Sequence, residues 1–300
     1  MTRTIPCCLE PAAACILNSD MAATSVTGRP YSNVIDRRTA QVAEENFFER
    51  FIGAANNARA VPSPMDGRTY DLGPANRTIR TLDGRTEEMK AAIKRRVERD
   101  LLKTYDEMPR CGTMLLEIHR RDFLGGRDLR VVVAGASLSP VDDFLTQGSS
   151  SRPVGAADFA RVRDEVVTRD DVFYFLCAFA TTAWHPEARN TLAGRNYLAA
   201  LCDLHEDAWR VWYAPDPRWG YAARLFDLTS AEEKIEAVRR FVERHTFELL
   251  MDELTEDIVF EHLGYAVGII REAFEIVAAQ TEFLRLETGV EPWRLVRVYV

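Results

Sequence analysis

Nine consecutive apolar residues, Val172–Ala180 (VFYFLCAFA), read as a long buried strand and constrain the fold most. A run with no polar alternation needs a core on its own account. Around it the pattern is α/β. Met114–His119 and Leu129–Ala134 are apolar strands flanking a Gly125-Gly126 turn, which predicts a hairpin. Asp158–Thr168 suits a helix, and Tyr197–Cys202 and Trp209–Tyr213 suit strands around a His205–Asp207 turn. Strand, helix and strand in that order predict a right-handed crossover and a parallel pair. Gln147–Pro153 reads as a flexible loop, and Pro186–Leu192 as a short helix.

Upstream, Thr39–Ile52 places Val42, Phe47, Phe48, Phe51 and Ile52 on one apolar helical face. Residues 53–85 are rich in turn formers, with a short strand at Thr78–Leu82. Thr86 caps a predicted helix over Thr86–Tyr105, whose polar face carries Lys90, Lys94, Arg95, Arg96, Arg99 and Lys103. That face is the most basic stretch of the chain and the candidate phosphate grip.

Toward the end, Thr229 and Ser230 cap a helix running to about His245, and Phe247–Glu253 is expected to form another. Thr255 caps a short helix, Ile258–Leu263, which Gly264 ends. A longer helix, Val267–Ala279, precedes a hairpin of Phe283–Leu286 and Trp293–Val298 around Gly289. The expected fold class is therefore mixed α/β. It has a helical N-terminal region, a central mixed sheet with crossover helices and a distinct C-terminal domain. The expected divisions are a disordered tail over 1–25, an α/β domain over 26–228 and a final domain over 229–300.

Leu254–Phe274 (LTEDIVFEHLGYAVGIIREAF) and Phe283–Val300 (FLRLETGVEPWRLVRVYV) together resemble the winged helix-turn-helix family. The resemblance covers roughly the last 55 residues. It implies that Val267–Ala279 is a recognition helix and that Thr288–Pro292 is the wing tip. Arg271 and Arg294 would then contact nucleic acid. Winged helices also serve as protein-interaction or dimerisation modules.

Charge sharpens that implication. The net charge of the chain is -8. Residues 246–300 carry 4 bases and 11 acids, a net of -7, whereas residues 26–110 carry 16 bases and 13 acids, a net of +3. The acidic end opposes DNA contact, so any phosphate grip is expected in the N-terminal half. Only four lysines accompany 34 arginines, which fits a GC-rich codon bias as well as bidentate phosphate recognition.

Catalytic alternatives are fewer. Glu117-Ile118-His119 on a strand, with Glu45, Asp66 and Asp71 upstream, loosely resembles the PD-(D/E)xK nucleases. That resemblance implies Mg2+ held by Glu117 and Asp71, with His119 where the family places a lysine. Glu88-Met89-Lys90 fits the triplet literally but falls in a predicted helix. Gly135–Ser139 approaches the GxSxG nucleophile elbow, with His185 or His205 and Asp203 or Asp207 as imaginable partners, but lacks the last glycine. No HExxH, Walker A or GxGxxG motif occurs. Outside the nuclease alternative no cofactor is expected. Trp184, Trp209, Trp212 and Trp219 lie near arginines and read first as core aromatics, with base stacking as the alternative.

The six cysteines contain no CxxC pair, which fits a reducing cytosol better than an oxidising compartment. Glu10 and Pro11 interrupt the apolar residues near the N-terminus, against a signal peptide. No run approaches the ~20 apolar residues of a membrane helix. The leading expectation is a DNA-associated or regulatory protein of the cytoplasm. The alternatives are a restriction-type nuclease and a non-catalytic interaction module whose acidic end meets a protein partner or a second copy.

Overall fold

The computed structural model describes residues 34–84, 90–91, 107–121, 126–205 and 208–299. The described residues belong to one compact unit. Its centre is a six-stranded sheet in the order β10-β9-β8-β6-β5-β4. The strands are β4 (Arg77–Leu82), β5 (Thr113–Arg121), β6 (Arg127–Leu138), β8 (Phe173–Ala180), β9 (Tyr197–His205) and β10 (Ala208–Tyr213). β4, β5 and β6 run as an antiparallel meander; β6, β8 and β9 are parallel; β10 returns antiparallel to β9.

β8 is buried at every position. It lies between two parallel neighbours and is covered on both faces, so it has no use for polar alternation. The predicted crossover is present: α3 (Ala156–Val166) lies in the chain between β6 and β8, which pair in parallel. Helix α1 (Arg37–Ala58) is capped by Asp36, which accepts from the Thr39 amide at 2.9 Å. It buries Phe47 and Phe51 completely. Gly135 on β6 makes that approach possible, because a Cβ there would lie 3.0 Å from the Phe51 ring.

Two smaller pairings complete this half. β2 (Ala60–Ser63) pairs with β3 (Arg68–Asp71), and β1 (Ile35–Asp36) pairs with β7 (Ser149–Ser150). The second falls inside the segment expected to be a flexible loop. A short helix α2 (Val141–Gln147) precedes β7 and ends at Gly148 in the left-handed region, φ 77°. Gly135–Ser139 does not form the nucleophile elbow that its sequence approaches: β6 continues to Leu138, and Ser137 is buried within it.

The C-terminal part has its own core of Val238, Phe241, Leu254, Val259, Ile270, Phe274 and Leu295. Helix α4 (Ala231–Glu243) opens with a capping box, in which Ser230 accepts from the Glu233 amide and Glu233 accepts from the Ser230 amide. The helix expected over Phe247–Glu253 is absent. A π-turn at Arg244–Glu248 ends the helical path, and strand β11 (Glu253–Thr255) follows. Three residues of β11 pair with β13 (Arg294–Arg297), and that long-range pairing overrides local helix propensity. Helix α5 (Glu256–Leu263) starts at the Thr255 cap and ends at Gly264, φ 69°. Helix α6 (Val267–Gln280) then leads to β12 (Leu284–Glu287), which pairs with β13. The small sheet runs β11-β13-β12.

Three contacts fix this part to the large sheet. Arg50 of α1 donates to Glu233 at 2.7 and 3.0 Å and to the Leu228 carbonyl. Arg210 of β10 donates to the His262 carbonyl, and the Tyr265 hydroxyl donates to the Trp209 carbonyl. No helix among the described residues is long and apolar enough to cross a membrane.

Candidate interaction site

The outward surface of α6 is built by how its single base is used. Arg271 donates to Glu256 through Nε at 2.7 Å and through an Nη at 2.8 Å. The same Nη reaches Glu291, in the loop between the two strands of the final hairpin, at 2.6 Å. The guanidinium also lies over the Trp293 ring, 4.7 Å from its centre. Glu256 is only 4% exposed, and it accepts a further bond from the Trp293 amide at 3.0 Å. The Arg271 hydrogen bonds hold its carboxyl below the usual carboxylate range, desolvation opposes them, and the Trp293 amide adds to the lowering. Arg271 is correspondingly raised, first by the Glu256 hydrogen bond.

The remaining bases of residues 246–300 are engaged in the same way. Arg294 donates to Glu287 at 2.8 Å and to Glu253 at 3.1 Å. Arg285 donates to Glu287 at 2.7 Å. Arg297 donates to the Thr246 carbonyl and stacks on Tyr299. The exposed residues of α6 are Val267, Gly268, Glu272, Glu275, Ala279 and Gln280, and their only charges are acidic. A surface whose cations are spent internally and whose free charges are acidic has little to offer a phosphate backbone.

In comparisons with family models, curated proteins and solved structures, nothing matches the chain.

The residues singled out for metal chemistry keep separate company. Glu117 on β5 sits 3.4 Å from Arg80 and 3.9 Å from His119 Nε2. Asp71 on β3 accepts from the Gly73 amide at 2.7 Å and the Asn76 amide group at 3.0 Å, which closes a turn. Asp66 accepts from the Arg68 amide and the Tyr70 hydroxyl, and Glu45 from Gln41. Among the described residues, no three of His, Cys, Asp and Glu come together in a way that could hold a metal ion. Ser139 shares a hydrogen bond with Thr181 at 2.7 Å. Of the basic helix, Lys94, Arg95, Arg96, Arg99 and Lys103 lie outside the described residues. Lys90 stands 3.6 Å from Asp83.

Trp184, Trp209 and Trp219 are buried. Trp212 is partly exposed, and the guanidinium carbons of Arg189 and Arg210 are 4.4 and 4.8 Å from its ring centre. Arg210 meanwhile forks onto Asp203 at 2.9 and 3.0 Å. Asp203 has no exposed surface; desolvation raises its pKa and Arg210 opposes the rise. This arginine chemistry serves the junction between β10 and α5.

One polar feature had no sequence motif. Glu44 of α1 is buried and accepts from the Arg110 amide at 2.6 Å and the Gly112 amide at 2.9 Å. Between those amides Cys111 is held at φ 50°. Burial, then the Glu44 charge, push its thiol up to about 12. Cys111 lines a cleft of about 120 Å³ at the end of β6, with Ser139, Arg152, Asp158 and Arg161. A glutamate three residues before Phe47, on the flank of an apolar stripe, is the one signal the sequence offers for it.

Proposed function

We propose that this chain is a regulatory protein whose residues 229–300 form a winged-helix module, and that the module meets a protein partner through α6. The element order helix, strand, helix, helix, strand, strand and the β11-β13-β12 sheet support the module. The observation that carries the choice of partner is the engagement of Arg271 by Glu256 and Glu291. Turning Arg271 toward a phosphate would strip a buried carboxylate of its cation, which costs more than an exposed phosphate contact returns. Val267, Glu272 and Glu275 instead suit a partner with apolar and basic groups.

A second reading places nucleic-acid contact at the other end of the molecule. Arg68 on β3, Arg120 on β5 and Arg127 on β6 are exposed and have no ion pair among the described residues. Tyr70 lies within electrostatic reach of Arg120 and Arg130. Exposed arginines without a close carboxylate partner are what phosphate contact uses.

Anisotropy of a labelled duplex at ~50 mM salt, where phosphate contacts are strong, separates the two. The full chain with Arg68, Arg120 and Arg127 changed to Ala is expected to lose any duplex affinity the wild type has. Loss on changing Arg271 or Arg294 instead would refute protein contact by α6.

A further inference from the structure

Of the eight large apolar side chains exposed among the described residues of the C-terminal part, five belong to segments that meet at one end of the small sheet. Phe247, Leu249, Leu250, Phe283 and Tyr299 are all large and exposed. They come from three chain segments tied together at one end of the small sheet. The Arg297 amide donates to the Asp252 carbonyl at 2.8 Å, and the Val298 amide to the Phe283 carbonyl at 2.9 Å. The Met251 amide donates to the His245 carbonyl at 3.0 Å. The hairpin turn between β12 and β13 is at the opposite end of those strands, so the patch is separate from the wing.

The backbone under the patch is unusual twice over. Leu250 sits at φ 54°, in the left-handed region that favours glycine and asparagine. It is also 64% exposed, so packing within the chain does not repay the strain. Strain of about 1–3 kcal/mol at such positions persists where function requires it. Just before it, the π-turn at Arg244–Glu248 is an element that gathers at functional sites.

We propose that this patch is a two-fold interface between two copies of the chain. The five exposed side chains present on the order of 500 Å² of apolar area, the size of the largest patches on typical monomers. With a polar rim it approaches the roughly 800 Å² per partner of a stable interface. The rim carries both signs side by side. Arg244 lies 3.8 Å from Glu248, Arg297 stacks on Tyr299, the Tyr299 hydroxyl bonds Asp252, and Glu282 is exposed nearby. A single-sign rim selects an oppositely charged partner. A mixed rim can complement its own copy, because in a two-fold interface a cation of one copy that meets an anion of the other is matched by the reciprocal pair. The surplus acid of residues 246–300 opposes pairing at low salt and is screened at physiological salt.

Sedimentation velocity of the full chain from about 1 to about 100 µM tests this. The wild type is expected to dimerise, more tightly at ~150 mM than at ~20 mM salt. Leu250→Glu with Phe283→Glu should weaken the dimer at least about 100-fold. Leu250→Gly should weaken it while raising Tm, because it removes the side chain and the backbone strain together. Ile79→Glu on β4, and Glu272→Lys with Glu275→Lys on α6, should leave the dimer intact. The last pair separates this interface from the α6 contact. A monomeric wild type at the highest concentration overturns the proposal, as does an undiminished dimer in the folded double variant. If the double variant does not fold, an undiminished dimer in Leu250→Gly overturns it.

Discussion

Arg271 and Glu256 form a two-point ion pair across the turn between α5 and α6, with donor distances of 2.7 and 2.8 Å. The pair joins the start of α5 to α6, and Glu291 extends it to the β12–β13 loop. The residue that family resemblance assigns to nucleic acid thus ties α5, α6 and the hairpin loop together. Glu256→Ala should leave the Trp293 amide and Arg271 without their acceptor, at a cost of about 1–3 kcal/mol. Thermal unfolding should show a Tm lowered by several degrees. An unchanged Tm would mean the pair contributes nothing.

Acid should loosen the attachment of α4. The Arg50 hydrogen bond, then the Ser230 amide, lower Glu233 from 4.5 to about 2. A carboxylate depressed in the folded state contributes stability above its unfolded value and loses it as pH falls toward the folded one. The window is thus pH 4.5 down to about 2. Both side chains are more than a third exposed, so screening holds the contribution to about 1 kcal/mol or less. Glu233→Gln should flatten this part of the stability profile, measured by urea unfolding at successive pH values.

Gly135→Ala puts a methyl group 3.0 Å from the Phe51 ring. Overpacking of this kind costs about 1–3 kcal/mol. Adding Phe51→Leu should return part of the loss, and an additive double variant would show that the two residues do not press on one another.

The architecture around these residues is largely legible in the chain. The apolar run at β8, the apolar strands of the β5–β6 hairpin and the Thr255 and Gly264 caps are local signals, and each states its own geometry. β11 is not legible, because Glu253–Thr255 becomes a strand only through pairing with β13, about forty residues on. The same limit applies to the interaction surface. Arg271 looks like a free cation in sequence, since Glu256 and Glu291 reach it only once α5, α6 and the hairpin are assembled. Glu44 escapes a sequence reading for a related reason, as its partners are backbone amides and carry no residue type.

Glu44→Ala should free the loop around Cys111. The wild-type thiol, pushed up to about 12, is expected to be inert to thiol reagents at neutral pH. The variant leaves two amides without their acceptor and should cost about 2–4 kcal/mol. Faster labelling of Cys111 and faster amide exchange at Gly112 would report it. Unchanged exchange there would remove Glu44 from the account.

The central claim is that α6 presents acid and apolar groups outward while its one arginine is engaged by Glu256 and Glu291. Its most direct measurement is the salt dependence of duplex binding by the full chain and its Arg271→Ala variant. Removing one cation that grips a phosphate lowers the slope of log affinity against log salt by about 1. The account predicts the same slope and affinities within about twofold for both proteins. A slope lower by about 1 in the variant, with a fall in affinity, would show that Arg271 grips phosphate and would contradict it.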